Sequence, residues 1–201
     1  MGSPKTSDER PPRLFERGNK MNLEIEKEAV AFLHKAGICS AMVEHLRGMG
    51  YFSQPASIKH HLACQQGLVF HSNNVTKNLL KISEAMYICW PRPESPYLVG
   101  MLHDLVKCHC YKWTGDGYEY CQPNYPGHGI ASVMFASELG ISLFHEEIMA
   151  ITYHMGMFNI SKEYTKEEFD AALKGRDSRF ILATHYADWD ASRNEPMTIE
   201  G

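Results

Sequence analysis

The run Leu98-Val-Gly-Met-Leu-His-Asp-Leu-Val-Lys107 sets an imidazole and a carboxylate side by side in an otherwise apolar segment. Burying both is unfavourable unless something binds them, and for this pair of groups a divalent metal is the usual partner. His103 and Asp104 therefore point to an enzyme. Any fold the chain adopts has to bring further ligand-type side chains to them.

At 201 residues, with 44% hydrophobic and 22% charged residues, the chain suits one domain with a core of its own. No apolar run approaches the ~20 residues of a membrane helix, and no signal-peptide h-region precedes a small-residue cleavage site. A cytoplasmic protein without a membrane partner is expected. The net charge of -4 leaves no global basic field, so a stable nucleic-acid complex is not expected. A phosphorylated substrate would then need local positive charge, which metal ions supply. The six cysteines lack a secretory signal beside them and read as reduced thiols. Cys108-His109-Cys110 with Cys121 has unorthodox spacing for a zinc knot, and free thiols are the expectation there too.

Residues 1–22 are polar, proline-bearing and without apolar period, which predicts a flexible tail. A single domain over 23–193 and a C-terminal tail over 194–201 follow. From Leu23 the pattern is helical, with Ile25, Ala29, Phe32 and Leu33 on one side and Gly37 as the stop. A short helix is expected over 41–49. Between Gly67 and Met86, the residues Leu68, Val75, Leu79, Ile82 and Met86 recur at helical spacing, placing His71 near the start of a core-facing helix. Prolines 91, 93 and 96 mark a linker, and a helix from Tyr97 to about Cys108 carries His103-Asp104. The aromatics of Tyr111 to Tyr120 alternate around Gly115-Asp116-Gly117 and predict a small β-hairpin. Further helices are expected over 129–139, 143–154, 165–173 and 177–192. The fold class is all-α, with the hairpin as an insertion.

Six side chains then stand out on these helices: His71, His103, Asp104, His128, His154 and Asp188. His71 lies four residues before Val75, His154 three after Ile151, and Asp188 seven after Ile181. Residues at those intervals share a helical face, so these polar groups point inward. A lone buried histidine is commonly a hydrogen-bonded core residue. Six such groups on separate core-facing helices are not explained that way.

In order, these residues resemble the His, His-Asp, His, His, Asp pattern of the HD-domain superfamily of metal-dependent phosphohydrolases. Gly67-Leu-Val-Phe-His-Ser72 resembles that family's Gly-Leu-Leu-Glu-His-Ser, and Leu102-His-Asp-Leu-Val-Lys107 its Leu-His-Asp-Ile-Gly-Lys. Gly127-His-Gly129, Ile151-Thr-Tyr-His154 and His185-Tyr-Ala-Asp188 fall in the same order, and the likeness spans about residues 58–193. It implies an HD-type helical bundle. Because both intervening histidines are present, it also implies two divalent metal ions bridged by Asp104. His71, His103 and Asp188 would hold one ion, and His128 and His154 the other. Fe, Mn, Ni, Co and Zn all suit such ligands.

The activity implied is hydrolysis of a small phosphorylated molecule, such as a nucleotide, through the two ions, with Asp104 and Lys107 as catalytic residues. Lys107 would steady charge developing at phosphorus. Lys59-His-His-Leu62 resembles a segment of HD-type exoribonucleases but departs from it at Gln66 and Phe70, so His61 reads as a substrate contact or as a helix cap. His185 either orients Asp188 or packs. Trp113 and Tyr118, with Tyr111, Tyr120 and Tyr125, offer flat faces for a nucleobase, although packing across the ribbon explains them as well. Lys162 and Lys166 are phosphate contacts or a solvated charge run. Two rival readings remain: a mixed-valence di-iron oxygenase, which some small HD proteins with the same ligands resemble, and a non-catalytic metal-binding signalling module. The intact ligand set counts against the second.

Overall fold

Leu68, Val75 and Leu79 form one stripe of helix α3 (Gly67–Ala85), and all three are fully buried. The computed structural model describes residues 18–115, 117–121, 127–160 and 162–199, and α3 is its central element. Around α3 pack α1 (Gly18–Lys35), α4 (Ser95–Leu102) and α8 (Ser178–Asn194). Helix α2 (Ser40–Gly48) lies against α1, and α5 (His128–Glu138), α6 (His145–Thr152) and α7 (Lys166–Lys174) complete the bundle. Strands β1 (Tyr111–Trp113) and β2 (Tyr118–Tyr120) pair antiparallel, with Tyr111 opposite Tyr120 and Trp113 opposite Tyr118. The protein is all-α with one small hairpin.

Two apolar clusters hold the bundle. Leu33, Leu46, Tyr51, Leu68, Leu98 and Leu102 join α1, α2, α3 and α4. Val75, Leu79, Val99, Ile151 and Phe180 join α3, α4, α6 and α8. Each large aliphatic side chain removed from water contributes roughly 1.5–3 kcal/mol. Glu147, fully buried at the start of α6, receives Arg92 Nε at 2.8 Å, Arg92 Nη2 at 2.9 Å and Ser95 Oγ at 2.7 Å. This network ties the start of α4 to the start of α6.

Two glycines set how closely the helices that carry ligand-type residues approach. A Cβ on Gly100 would lie 2.4 Å from Thr76 Oγ1, so α4 rests directly on α3 between His71 and His103. A Cβ on Gly129 would lie 2.4 Å from the Thr152 carbonyl, so the start of α5 rests on the end of α6, beside His128 and His154. Hydrogen in place of a side chain is what lets these backbones meet.

Three features depart from the sequence-based expectation. Helix α1 begins at Gly18, inside the stretch assigned to the tail. The helix carrying His103-Asp104 does not run to Cys108: α4 stops at Leu102, Asp104 adopts φ -112 and ψ 22, and a 3-10 turn spans Leu105–His109. Neighbours on an unbroken helix face directions about 100° apart, so the break is what allows both His103 and Asp104 to turn inward. Residues 196–199 are docked rather than a tail. The amides of Leu62 and Ala63 donate to the carbonyls of Pro196 and Met197 at 2.9 and 2.7 Å, and Ile199 packs on the core. Asp116 and Tyr125 lie outside the described residues, so the expectations that rest on them are untested. Among those described, no group suited to a metal contains a cysteine, and Cys108 and Cys110 are buried free thiols. Among the described residues no helix is long and apolar enough to cross a membrane.

Candidate metal centre

Four imidazoles are oriented by what their Nδ1 atoms meet. His103 Nδ1 lies 2.9 Å from the Gly100 carbonyl and His154 Nδ1 2.7 Å from the Ile151 carbonyl, each acceptor three residues earlier in the chain. His71 Nδ1 lies 2.9 Å from Glu195 Oε2, and His128 Nδ1 3.1 Å from Glu163 Oε1. An oxygen acceptor at Nδ1 places the proton there and leaves the Nε2 lone pair of the neutral ring facing inward.

The Nε2 atoms converge on Asp104 and Asp188. His103 Nε2 is 3.3 Å from Asp104 Oδ2 and 3.3 Å from His71 Nε2, which is 3.0 Å from Asp188 Oδ1. His128 Nε2 and His154 Nε2 lie 3.4 and 3.7 Å from the other oxygen, Asp104 Oδ1. The two oxygens of one carboxylate therefore face two different sets of imidazoles. All six residues singled out in the sequence are brought together. His71, His103 and Asp188 form one group able to hold an ion, and His103, Asp104 and His154 form another. A third group, His61, His71 and Glu195, shares His71 with the first.

Asp104 Oδ1, His128 Nε2 and His154 Nε2 are buried and have no hydrogen-bond partner. Leaving such groups unsatisfied costs about 1–3 kcal/mol each. As neutral rings the two imidazoles offer Asp104 Oδ1 no proton; His103, Asp104 and His154 form a group able to hold a cation, and His128 adjoins it at Asp104 Oδ1. The donor set therefore fits a metal. The side chains of His71, His103, Asp104 and His154 are sealed from solvent, while His128 keeps 26% of its side-chain surface.

Charges in the site are strongly coupled. Burial by itself would raise the Asp104 pKa, but Lys107 and His103 hold it well below the usual carboxylate range. Lys107 Nζ donates to Asp104 Oδ2 at 2.6 Å, and although burial opposes its charge, this carboxylate pushes its pKa up. His71 would be lowered by burial, yet Glu195 and Asp188 raise it to about 10. His61 is lowered to about 4, first by burial and then by the neighbouring charges of His71 and Lys107. Protons thus occupy positions that a cation would take, and loading a metal would release them.

Two carboxylates that the sequence reading passed over complete the site. Glu195 holds His71. Glu163 holds the His128 ring and accepts the backbone amides of His128 at 2.7 Å and Gly129 at 3.1 Å, so it also caps α5. Glu195 is the first residue beyond α8, where the helical period that marks Asp188 no longer applies. Glu163 sits in a loop with no period to mark it.

Other expectations shift. His185 Nδ1 lies 2.7 Å from the His154 carbonyl, and Ser192 Oγ donates to Asp188 Oδ1 at 3.3 Å. A cavity of about 410 Å³ opens over the centre, and its lining includes Asp104, Lys107, His61, His128, His185 and Trp189. Tyr111 and Phe158 add aromatic wall. Trp113 and Tyr118 instead line a separate cleft of about 900 Å³ with Gln54 and Cys64. Their T-shaped contact, at 5.1 Å between ring centres, is the packing across the ribbon. Lys166 is exposed and paired with Asp170, and neither it nor Lys162 lines the central cavity.

Compared with protein-family models, with curated proteins and with solved structures, the chain gives no match in any of the three.

Proposed function

We propose that this chain is an HD-type metal-dependent phosphohydrolase that cleaves a nucleotide or another small phosphoester through two divalent transition-metal ions. One observation carries the reading: the two oxygens of buried Asp104 face separate sets of imidazole Nε2 atoms, and every Nδ1 is bound elsewhere. His71, His103, Asp188 and Asp104 Oδ2 would hold one ion, and His128, His154 and Asp104 Oδ1 the other. Bound there, the ions supply an acidified water and Lewis-acid polarisation of a phosphoryl oxygen.

The remaining work belongs to the chain itself. Lys107 is the only lysine or arginine among the described residues lining the cavity, and its charge is secured by Asp104. It is the group that meets an anionic phosphate oxygen, and a fixed ammonium there stabilises charge without reorganising. His61, held neutral, has a buried Nε2 with no hydrogen-bond partner on the same wall and can orient an ester or sugar hydroxyl. Tyr111, Phe158 and Trp189 present flat apolar surface for the body of the substrate and keep water off the phosphate. The Oδ2 side has four protein donors and the Oδ1 side three, and the partly exposed His128 belongs to the latter.

The test pairs metal analysis and EPR on anaerobically purified protein with a phosphatase and nucleotide screen under Mn, Ni, Co and Fe. Two equivalents of metal per chain and metal-dependent release from a phosphoester are expected. Oxygen consumption with an organic substrate, and no phosphoester cleaved under any metal, would assign an oxygenase instead. Metal binding with neither reaction would leave a binding module.

A further inference from the structure

Glu195 is the first residue beyond α8, where the backbone turns extended. Its carboxylate is only 3% exposed. Both oxygens are used by α3: Oε2 meets His71 Nδ1 at 2.9 Å, and Oε1 accepts from Asn74 Nδ2 at 2.8 Å. The next two residues, Pro196 and Met197, accept the amides of Leu62 and Ala63. Leu62 directly follows His61, whose unpartnered Nε2 lies 3.8 Å from Glu195 Oε2. Three consecutive residues thus link a metal-facing imidazole on α3 to the loop that places His61 on the cavity wall.

Stability alone accounts poorly for this arrangement. A buried charge pair often contributes no more than apolar side chains of similar volume would. A segment that needed only an anchor would pack another apolar side chain against the core, as Ile199 does. A carboxylate behind a ligand imidazole has a more specific effect: it fixes the ring and makes the opposite nitrogen a better donor.

We propose that Glu195 is a positioning residue for His71, and that the strap 195–197 couples the ion held by His71 to the placement of His61. The proposal rests on the metal-centre reading above. Binding an ion at His71 Nε2 strengthens the Nδ1–H bond to Glu195, which tightens the strap on Leu62 and Ala63. The ion on the Oδ1 side, backed by Glu163, does not depend on it.

The experiment uses the full chain and Co2+ alone, titrated against a competing chelator, with bound metal counted by mass spectrometry and its d–d absorption recorded. Wild type should take up two equivalents. Glu195→Ala should weaken one of them by ~10–100-fold, the usual effect of losing such a partner, shift that ion's absorption and leave the other equivalent in place. Glu195→Gln keeps an acceptor for Nδ1–H and should recover most of the loss. Asn74→Ala, which removes only the strut to Oε1, should weaken the same ion by less and serves in its place if Glu195→Ala fails to fold. Hydrogen exchange supplies the coupling readout: Co2+ should increase protection of the Leu62 and Ala63 amides in wild type but not in Glu195→Ala. Wild-type affinity and spectrum in Glu195→Ala, equal weakening of both ions, or amide protection that ignores the metal would each overturn the strap while leaving the metal centre standing. A wild type that takes up no divalent metal would overturn the centre itself, and the strap with it.

Discussion

The two sides of Asp104 are built on one plan with different outcomes. Each has one histidine backed by a carboxylate, His71 by Glu195 and His128 by Glu163, and one backed by a carbonyl three residues earlier, His103 by Gly100 and His154 by Ile151. The Oδ2 side adds Asp188 and Lys107, and its groups lie in direct ion-pair contact. The Oδ1 side adds no further charged group and keeps its unpartnered acceptors. The difference teaches that close ion pairs hold the first side together without metal, whereas the second keeps buried acceptors that a cation can satisfy.

The largest expected effect removes what the two sides share. Asp104→Ala should lose both ions and reduce hydrolysis to background, measured by metal mass spectrometry and phosphate release; full turnover in that variant would end the bridging role. The sides separate in the next pair. His71→Ala leaves Asp188 and Glu195 buried without their partner and should cost about 3–5 kcal/mol in urea denaturation of the metal-free protein. His128→Ala, at the partly exposed edge, should cost about 1 kcal/mol. Each should lose one ion, and equal destabilisation would break the comparison.

Acidity sharpens it further, because two neighbouring imidazoles shift in opposite directions. His71, raised to about 10, contributes stability that is fully present below its unfolded value near 6.5 and is lost as pH rises through about 10. His61, lowered to about 4, contributes stability present above 6.5 and lost as pH falls toward 4. In chelator, the melting temperature should therefore decline from pH 7 to pH 10, and His61→Ala should flatten only the acid limb between pH 6.5 and pH 4. A melting temperature that rises steadily to pH 10 would contradict the charge arrangement around His71. The smallest effect is expected at the hairpin. Trp113→Ala should change stability by no more than about 0.5 kcal/mol and leave metal content and turnover unaltered, since Trp113 is 58% exposed and lines the other cleft. A raised KM in that variant would return the hairpin to the substrate site.

Much of this was legible in the chain. The apolar stripe from Leu68 to Leu79 marked α3 to within a residue at its end, and the intervals from Ile151 to His154 and from Ile181 to Asp188 marked those side chains as inward-facing. Three things were not legible. Residues 194–201 carry no apolar period, so a segment held by backbone pairing with residues 62–63 read as a tail. Glu163 lies in a loop, where no spacing distinguishes a carboxylate that meets a ring from one that meets water. The alternation of Trp113 and Tyr118 announced a ribbon but not which cavity the ribbon would border.

By itself the sequence marked His71 and Asp188 as inward-facing, because that depends on helical period and on apolar neighbours within two turns. Only the tertiary structure decided which oxygen of Asp104 meets which imidazole, and which carboxylate stands behind each ring. Those pairings join residues as far apart as His71 and Glu195. They follow from how closely α4 settles on α3 at Gly100 and α5 on α6 at Gly129, distances that no local pattern encodes.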